Sequence, residues 1–117
     1  INLITALPRA TSGGLQVKLV DGTWVDVAAP SARAVINTGM MLEHITNGLI
    51  PTGLHRVVAD EVVPGHRYSV VQFCHPTPWT VLSAVPSCVS AQRPLRFAPI
   101  EAGDRLDEVL WEINLMS

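Results

Sequence analysis

Alternation of apolar and polar residues, broken by turn-forming pairs, constrains this chain more than any other feature of its sequence. Leu15-Gln16-Val17-Lys18-Leu19 alternates with a period of two, Asp21-Gly22 follows, and Trp24-Val25-Asp26-Val27 resumes the same period. Side chains two apart on a strand share a face, and Asp-Gly favours the tight turn of a hairpin, so this stretch predicts one β-hairpin. Ile1-Asn2-Leu3-Ile4-Thr5-Ala6-Leu7 is β-rich and is expected to stop at Pro8. Ala34 to Asn37, Leu54 to Val58 and Tyr68 to Phe73 add further short strands, the last of them after Pro64-Gly65. Six or so strands with turn signals between them predict a sandwich or barrel.

The rest of the chain reads differently. Asn47-Gly48 and Pro51-Thr52-Gly53 mark a loop, and the proline-punctuated stretch from His75 to Pro99 predicts irregular surface wrapping. From Asp104 onward Leu106, Val109, Leu110 and Ile113 recur at i, i+3, i+4 and i+7, with Asp104, Asp107 and Glu108 near the start, where the helix dipole favours acids. The expected organisation is a β portion over residues 1–99 and an amphipathic helix over residues 100–117 that packs on it. No internal repeat or low-complexity tract is evident. Residue 1 is Ile and the apolar run begins at once, so the chain is expected to open inside a structural element.

Charge narrows the functional classes. One Lys and seven Arg stand against ten acidic residues, for a net charge of −2, with no basic stripe and no acidic tail. Nucleic acid and anionic membrane are therefore poor partners. The longest uncharged stretch, Tyr68 to Gln92, is interrupted by Pro76, Pro78 and Pro86 and cannot cross a bilayer as a helix. Cys74 and Cys88 form neither a disulfide framework nor a Cys-x-x-Cys site, which favours two ordinary thiols and a cytoplasmic location. Only 15% of residues are charged, against about 25% in typical domains. Part of the surface is thus expected to be covered by a partner.

Few residues offer chemistry. In Leu54-His55-Arg56-Val57-Val58, His55 and Val57 would share one face of a strand, and a histidine on the inner wall of a barrel can reach a central metal. A histidine in such a setting is more commonly structural. Arg67 and Ser69 are two apart and should face the same way, together with Val71 and Phe73. A guanidinium fork beside a hydroxyl on an apolar wall suits a buried carboxylate. The plainer alternative is an arginine at a strand start pairing with Asp60 or Glu61. His44, His66 and His75 read as structural or solvated. Trp24, Trp79 and Trp111 are too far apart for a stacking platform and read as packing residues. Phosphate-binding glycine loops, Gly-x-Ser-x-Gly and His-Glu-x-x-His are absent, which removes support for nucleotide and hydrolase chemistry.

The order of the pieces carries more than any one of them. Leu3-Ile4-Thr5-Ala6-Leu7, Gly14-Leu15-Gln16-Val17, Gly22-Thr23-Trp24-Val25-Asp26-Val27, Val35-Ile36-Asn37-Thr38-Gly39, Leu42-Glu43, Thr46-Asn47-Gly48, His55-Arg56-Val57 and Arg67-Tyr68-Ser69-Val70 together resemble the isopenicillin N synthase-like family of iron(II)- and 2-oxoglutarate-dependent oxygenases, over about Ile1 to Pro76. The resemblance implies a double-stranded β-helix, or cupin-like jelly roll, here a portion of one with a C-terminal α-helix. It implies that His55 matches the distal histidine of the family's metal site. It also implies that Arg67 and Ser69 match the Arg-x-Ser pair that grips the distal carboxylate of 2-oxoglutarate, or the peptide substrate in the synthase itself. The family's His-x-Asp precedes the strand that opens this chain, so residue 1 is expected to begin just after the missing Asp. Met40 departs from the Asp usual after Gly39, and Pro51-Thr52-Gly53 from a more serine-like approach to the histidine.

The resemblance therefore implies the C-terminal part of an oxygenase that binds iron(II), decarboxylates 2-oxoglutarate with O2 and oxidises a small organic substrate. This chain supplies one of the three metal ligands and no residue assigned as catalytic, so it is expected to retain neither iron(II) nor 2-oxoglutarate by itself. Pairing with a missing N-terminal part, or homo-oligomerisation, is expected to cover its exposed strand edges. Two alternatives stay open. One is an inactive jelly-roll module that serves in binding or assembly, and the other is an oxygenase of the synthase type that does not use 2-oxoglutarate.

Overall fold

A computed structural model describes residues 2–27, 33–59 and 65–115. The predicted hairpin is present. Strands β2 (Leu15–Lys18) and β3 (Trp24–Asp26) pair antiparallel, Val17 opposite Val25. Gly22 sits at the turn with φ of 88°, and the Asp21 carboxylate accepts from Thr23 N at 2.8 Å. The alternation separates two faces. On one, Gln16 donates to Asp26 and accepts from Arg56 Nε, while the Arg56 guanidinium lies 4.1 Å from the Trp24 ring centroid. On the other face, Leu15 is buried.

Strand β1 (Ile4–Ala10) does not stop at Pro8, contrary to expectation. It pairs antiparallel on one side with β4 (Val35–Thr38) and on the other with β6 (Ser69–Cys74). The register against β6 shifts between Ala6 and Arg9, and Pro8 falls inside that bulge. Its missing N–H leaves no gap there in a regular ladder. The strand order is β4-β1-β6 in this sheet and β3-β2-β5 in the other, with β5 spanning His55–Val57. Two strands consecutive in the chain thus sit at the centres of two separate sheets. Together with a C-terminal helix, they make the mainly β architecture expected for a jelly-roll portion.

The buried core lies beside the sheets. Helix α1 (Met40–Ile45), the two-residue strands β7 (Val81–Leu82) and β8 (Ile100–Glu101), and helix α2 (Ala102–Glu112) meet around Met41, Leu82 and Ala102. Leu3, Ile45, Ile100 and Leu106 pack against that cluster. The stretch from His75 to Pro99 is therefore not only surface wrapping, since Leu82 is 1% exposed. The β7–β8 pair also crosses residue 99, joining the two segments the sequence separates. Helix α2 begins at Ala102, two residues before Asp104. Val109 is buried as its spacing requires, whereas Ile113 lies past the helix end and is exposed. Trp79 and Trp111 are exposed as well, which corrects their reading as packing residues.

Two polar residues hold these parts together. Helix α1 has no side-chain cap at Gly39; instead Met41 N donates to Asn2 O at 3.0 Å. A Cβ at Gly39 would collide with that same oxygen, so only glycine fits. Met40, the first helical residue, needs no acidic side chain to satisfy Met41 N, because the backbone leading into β1 already accepts from it. Asn47 is fully buried with φ of 52°. Its Nδ2 donates to Pro94 O at 3.0 Å and to Cys88 O at 3.3 Å, and its Oδ1 accepts from Arg96 N at 2.8 Å. One side chain so replaces a strand partner for the segment 88–96.

Asn47→Ala strands those buried backbone groups and should lower the unfolding free energy by about 2–4 kcal/mol. Asn47→Asp should cost at least as much, because a carboxylate cannot donate to the carbonyls. Thermal denaturation followed by circular dichroism measures both, and a loss under about 0.5 kcal/mol would contradict the assignment.

Candidate functional site

The two sheets line one cavity of about 710 Å3. Period two decides what faces it. On β5, His55 and Val57 point in while Arg56 joins the outer ladder. On and just before β6, Arg67, Ser69, Val71 and Phe73 all line the cavity, and Val70 and Gln72 do not. Leu7 and Leu15 complete much of the apolar wall. The three site residues taken from the sequence are thus brought to one space: His55 on one sheet, Arg67 and Ser69 on the other.

Each wall is held by backbone contacts that residue patterns do not reveal. His55 Nδ1 lies 3.1 Å from Gly53 O. A carbonyl only accepts, so Nδ1 is the donor in this contact, and Nε2 is the ring nitrogen that the contact leaves free to face a metal. Gly53 is itself fixed: its N donates to Thr38 O at 3.0 Å, and a Cβ there would collide with Asn37 Oδ1. Thr38 Oγ1 donates to Pro51 O at 2.8 Å. Thr52 donates to the Glu43 carboxylate through both its backbone N–H, at 2.8 Å, and its hydroxyl. The loop Pro51–Gly53 is so tied to β4 and α1 before it delivers His55.

Arg67 is half-buried, and its Nε donates to Gly13 O at 2.8 Å. Asp60 and Glu61, the alternative partners weighed for it, lie outside the described residues. The other histidines are elsewhere. His44 is buried on α1 and stacks on Phe97 with ring centroids 5.1 Å apart. His66 is exposed near the Tyr68 ring, and His75 is exposed just past β6. Among the described residues no three of His, Cys, Asp and Glu gather into a metal-binding group. Cys74 and Cys88 are free thiols.

With one histidine and an Arg-x-Ser pair lining a single cavity between two sheets, comparison with known proteins identifies the family of the chain. The model of the 2OG-Fe(II) oxygenase superfamily matches residues 1–76. The chain is 42% identical over 80 residues to 1-aminocyclopropane-1-carboxylate oxidase 1 of Oryza sativa, covering 68% of this chain and 24% of that protein. It is 31% identical to gibberellin 2-beta-dioxygenase 1 of Pisum sativum over 93 residues, 80% of this chain and 28% of that one. Among solved structures, a 2OG-Fe(II) oxygenase family protein from Caulobacter crescentus superposes with a TM-score of 0.88 at 37% identity, over 97% of this chain and 38% of that one. A full-length Neurospora crassa protein solved in complex with alpha-KG gives 0.81 at 30% identity, over 94% and 35%. The chain belongs to the 2OG-Fe(II) oxygenase superfamily, and it spans about a quarter of the length of the curated relatives it matches.

The Glu43–Thr52 tie titrates. The Thr52 hydroxyl, chiefly, holds the Glu43 carboxyl below its ordinary value of 4.5, against a weaker opposing effect of burial. A depressed carboxyl contributes stability that is full above the ordinary value and is lost as pH falls through the lowered one. Thr52→Val should therefore cost roughly 0.5–1 kcal/mol at pH 7, allowing for partial exposure, and less at an acidic pH below the ordinary value of 4.5. Denaturant unfolding at the two pH values checks this. An equal cost at both would show that Glu43 is not the partner that matters.

Proposed function

We propose that this chain forms the cosubstrate-binding and distal-ligand part of an iron(II)- and 2-oxoglutarate-dependent oxygenase acting on a small organic substrate. The observation that carries the reading is the shared cavity: His55 stands on one wall, with Arg67 and Ser69 on the facing one. The similar Neurospora crassa protein is solved with alpha-KG and, in a second structure, with alpha-KG and thymine, which supports both a keto-acid cosubstrate and a small organic substrate.

His55 fits the role of one ligand, since its Nδ1 contact with Gly53 O leaves Nε2 unengaged. A facial site needs two further donors, which the described residues do not assemble beside it. Iron(II), when bound, supplies the activation of O2 that drives decarboxylation of 2-oxoglutarate. The protein's own part is positional. With Nε engaged by Gly13, the Nη1 and Nη2 side of Arg67 is the one that can make a two-point contact with the distal carboxylate of 2-oxoglutarate, and the Ser69 hydroxyl adds a third hydrogen bond. Val71 and Phe73 keep that wall apolar, and Val57 does the same for the wall that carries His55.

The apolar cavity wall includes Phe73, which is 62% exposed, and β3, β4, β5 and β6 are sheet edges. Such a face is covered by further strands of the same protein or by a second copy. The free Cys74 and Cys88 fit a reducing location such as the cytoplasm, and no helix among the described residues is long and apolar enough to cross a membrane.

Calorimetric titration of the protein as encoded, loaded with manganese(II), tests the anchor. Arg67→Lys should weaken 2-oxoglutarate binding by about tenfold to a hundredfold, because an ammonium cannot reproduce the fork. Ser69→Ala should weaken it by less than about tenfold. Equal affinity in wild type and Arg67→Lys would remove the assigned role.

A further inference from the structure

The corner Thr11–Gly14 carries the chain from β1 at the centre of one sheet to β2 at the centre of the other, and it touches both halves of the site. At its start Thr11 clasps Tyr68, the residue between Arg67 and Ser69. Thr11 N donates to Tyr68 O at 2.9 Å, Tyr68 N donates to Thr11 Oγ1 at 2.9 Å, and the Thr11 hydroxyl reaches Tyr68 O at 3.3 Å. At the next step Gly13 O accepts from Arg67 Nε. At its end Gly14, with φ of 99°, accepts from Val58 N at 2.8 Å, and a Cβ at Gly14 would collide with Val58 O. Val58 directly follows β5, three residues after His55. Four consecutive residues therefore grip the strand that bears the carboxylate anchor and the strand that bears the metal histidine.

We propose that this corner sets the placement of Arg67 and Ser69 relative to His55, with Thr11 and Gly14 as positioning residues that touch neither metal nor cosubstrate. The inference rests on the oxygenase reading above and adds to it the element that holds the two walls in register. Position 14 admits only glycine, for two independent reasons: the left-handed backbone and the close approach of Val58. Position 13 is different, since a Cβ there meets nothing within 4 Å while its carbonyl does the holding. The two adjacent glycines thus separate a backbone-acceptor role from a close-approach role. Thr11 is exposed, so its hydroxyl can be removed with little effect on folding.

The test uses the protein as encoded, with manganese(II) affinity read from the spin-resonance signal of the free ion and 2-oxoglutarate affinity from calorimetry. Thr11→Val should raise the 2-oxoglutarate Kd roughly five- to tenfold, about one hydrogen bond's worth, and leave manganese(II) affinity unchanged. Thr11→Ser, which keeps the hydroxyl, should restore wild-type binding. Gly14→Ala should weaken both ligands. Should Gly14→Ala fail to fold, the Thr11 pair decides alone. A Thr11→Val protein with wild-type 2-oxoglutarate affinity, or one that loses manganese(II) equally, overturns the assignment. A wild-type protein that binds no 2-oxoglutarate overturns the proposed function, and this inference with it.

Discussion

The passage of the backbone from the middle of one sheet to the middle of the other is the constraint on which this structure depends. Because β1 and β2 are consecutive and both central, every other strand of the two sheets is hung on one of them: β4 and β6 on β1, β3 and β5 on β2. The residues with chemistry ride on β5 and at the start of β6, consecutive strands that belong to different sheets. Their meeting across one cavity follows from how two short strands and the turn between them are placed. A site assembled this way needs no long-range ion pair. It needs the alternation of each strand to be in phase, and the corner to hold that phase.

Phase was what the sequence made most legible. The period of two placed Leu15 and Val57 opposite Arg56 and Gln16, and it put Arg67, Ser69, Val71 and Phe73 on one face, as the cavity lining bears out. The role of those residues was legible only through the resemblance, because an arginine and a serine two apart on a strand have many ordinary uses. Illegible were the features that side-chain patterns do not record. Pro8 inside β1 depends on a bulge, and a bulge is a property of a pair of strands. Strands β7 and β8 are two residues each, too short for a period. The carbonyls of Gly13 and Gly53 are backbone acceptors, which leave no trace in residue identity. Trp79 and Trp111 look like packing residues in any sequence, and only the fold shows them exposed.

The departures from the family's usual residues also have a structural account. Met40 stands where the resemblance would place an Asp, and Asn2 O accepts from Met41 N at that helix start. Thr52 stands on the approach to His55 and binds the Glu43 carboxylate with both of its donors. Neither change disturbs the backbone that orients His55. The local supports of the candidate site residue His55 are thus backbone and side-chain hydrogen bonds within this chain. Asn47 gives such support to the C-terminal segment, which has few strand pairings of its own.

The central claim is that His55 and the Arg67–Ser69 pair serve one bound cosubstrate from opposite walls. A crystal structure of the protein as encoded, grown with manganese(II) and 2-oxoglutarate, tests it most directly. The account predicts an anomalous peak within bonding distance of His55 Nε2, and the distal carboxylate of 2-oxoglutarate on the Arg67 guanidinium and Ser69 hydroxyl. Manganese(II) bound away from His55, or a 2-oxoglutarate whose distal carboxylate avoids Arg67, would contradict it.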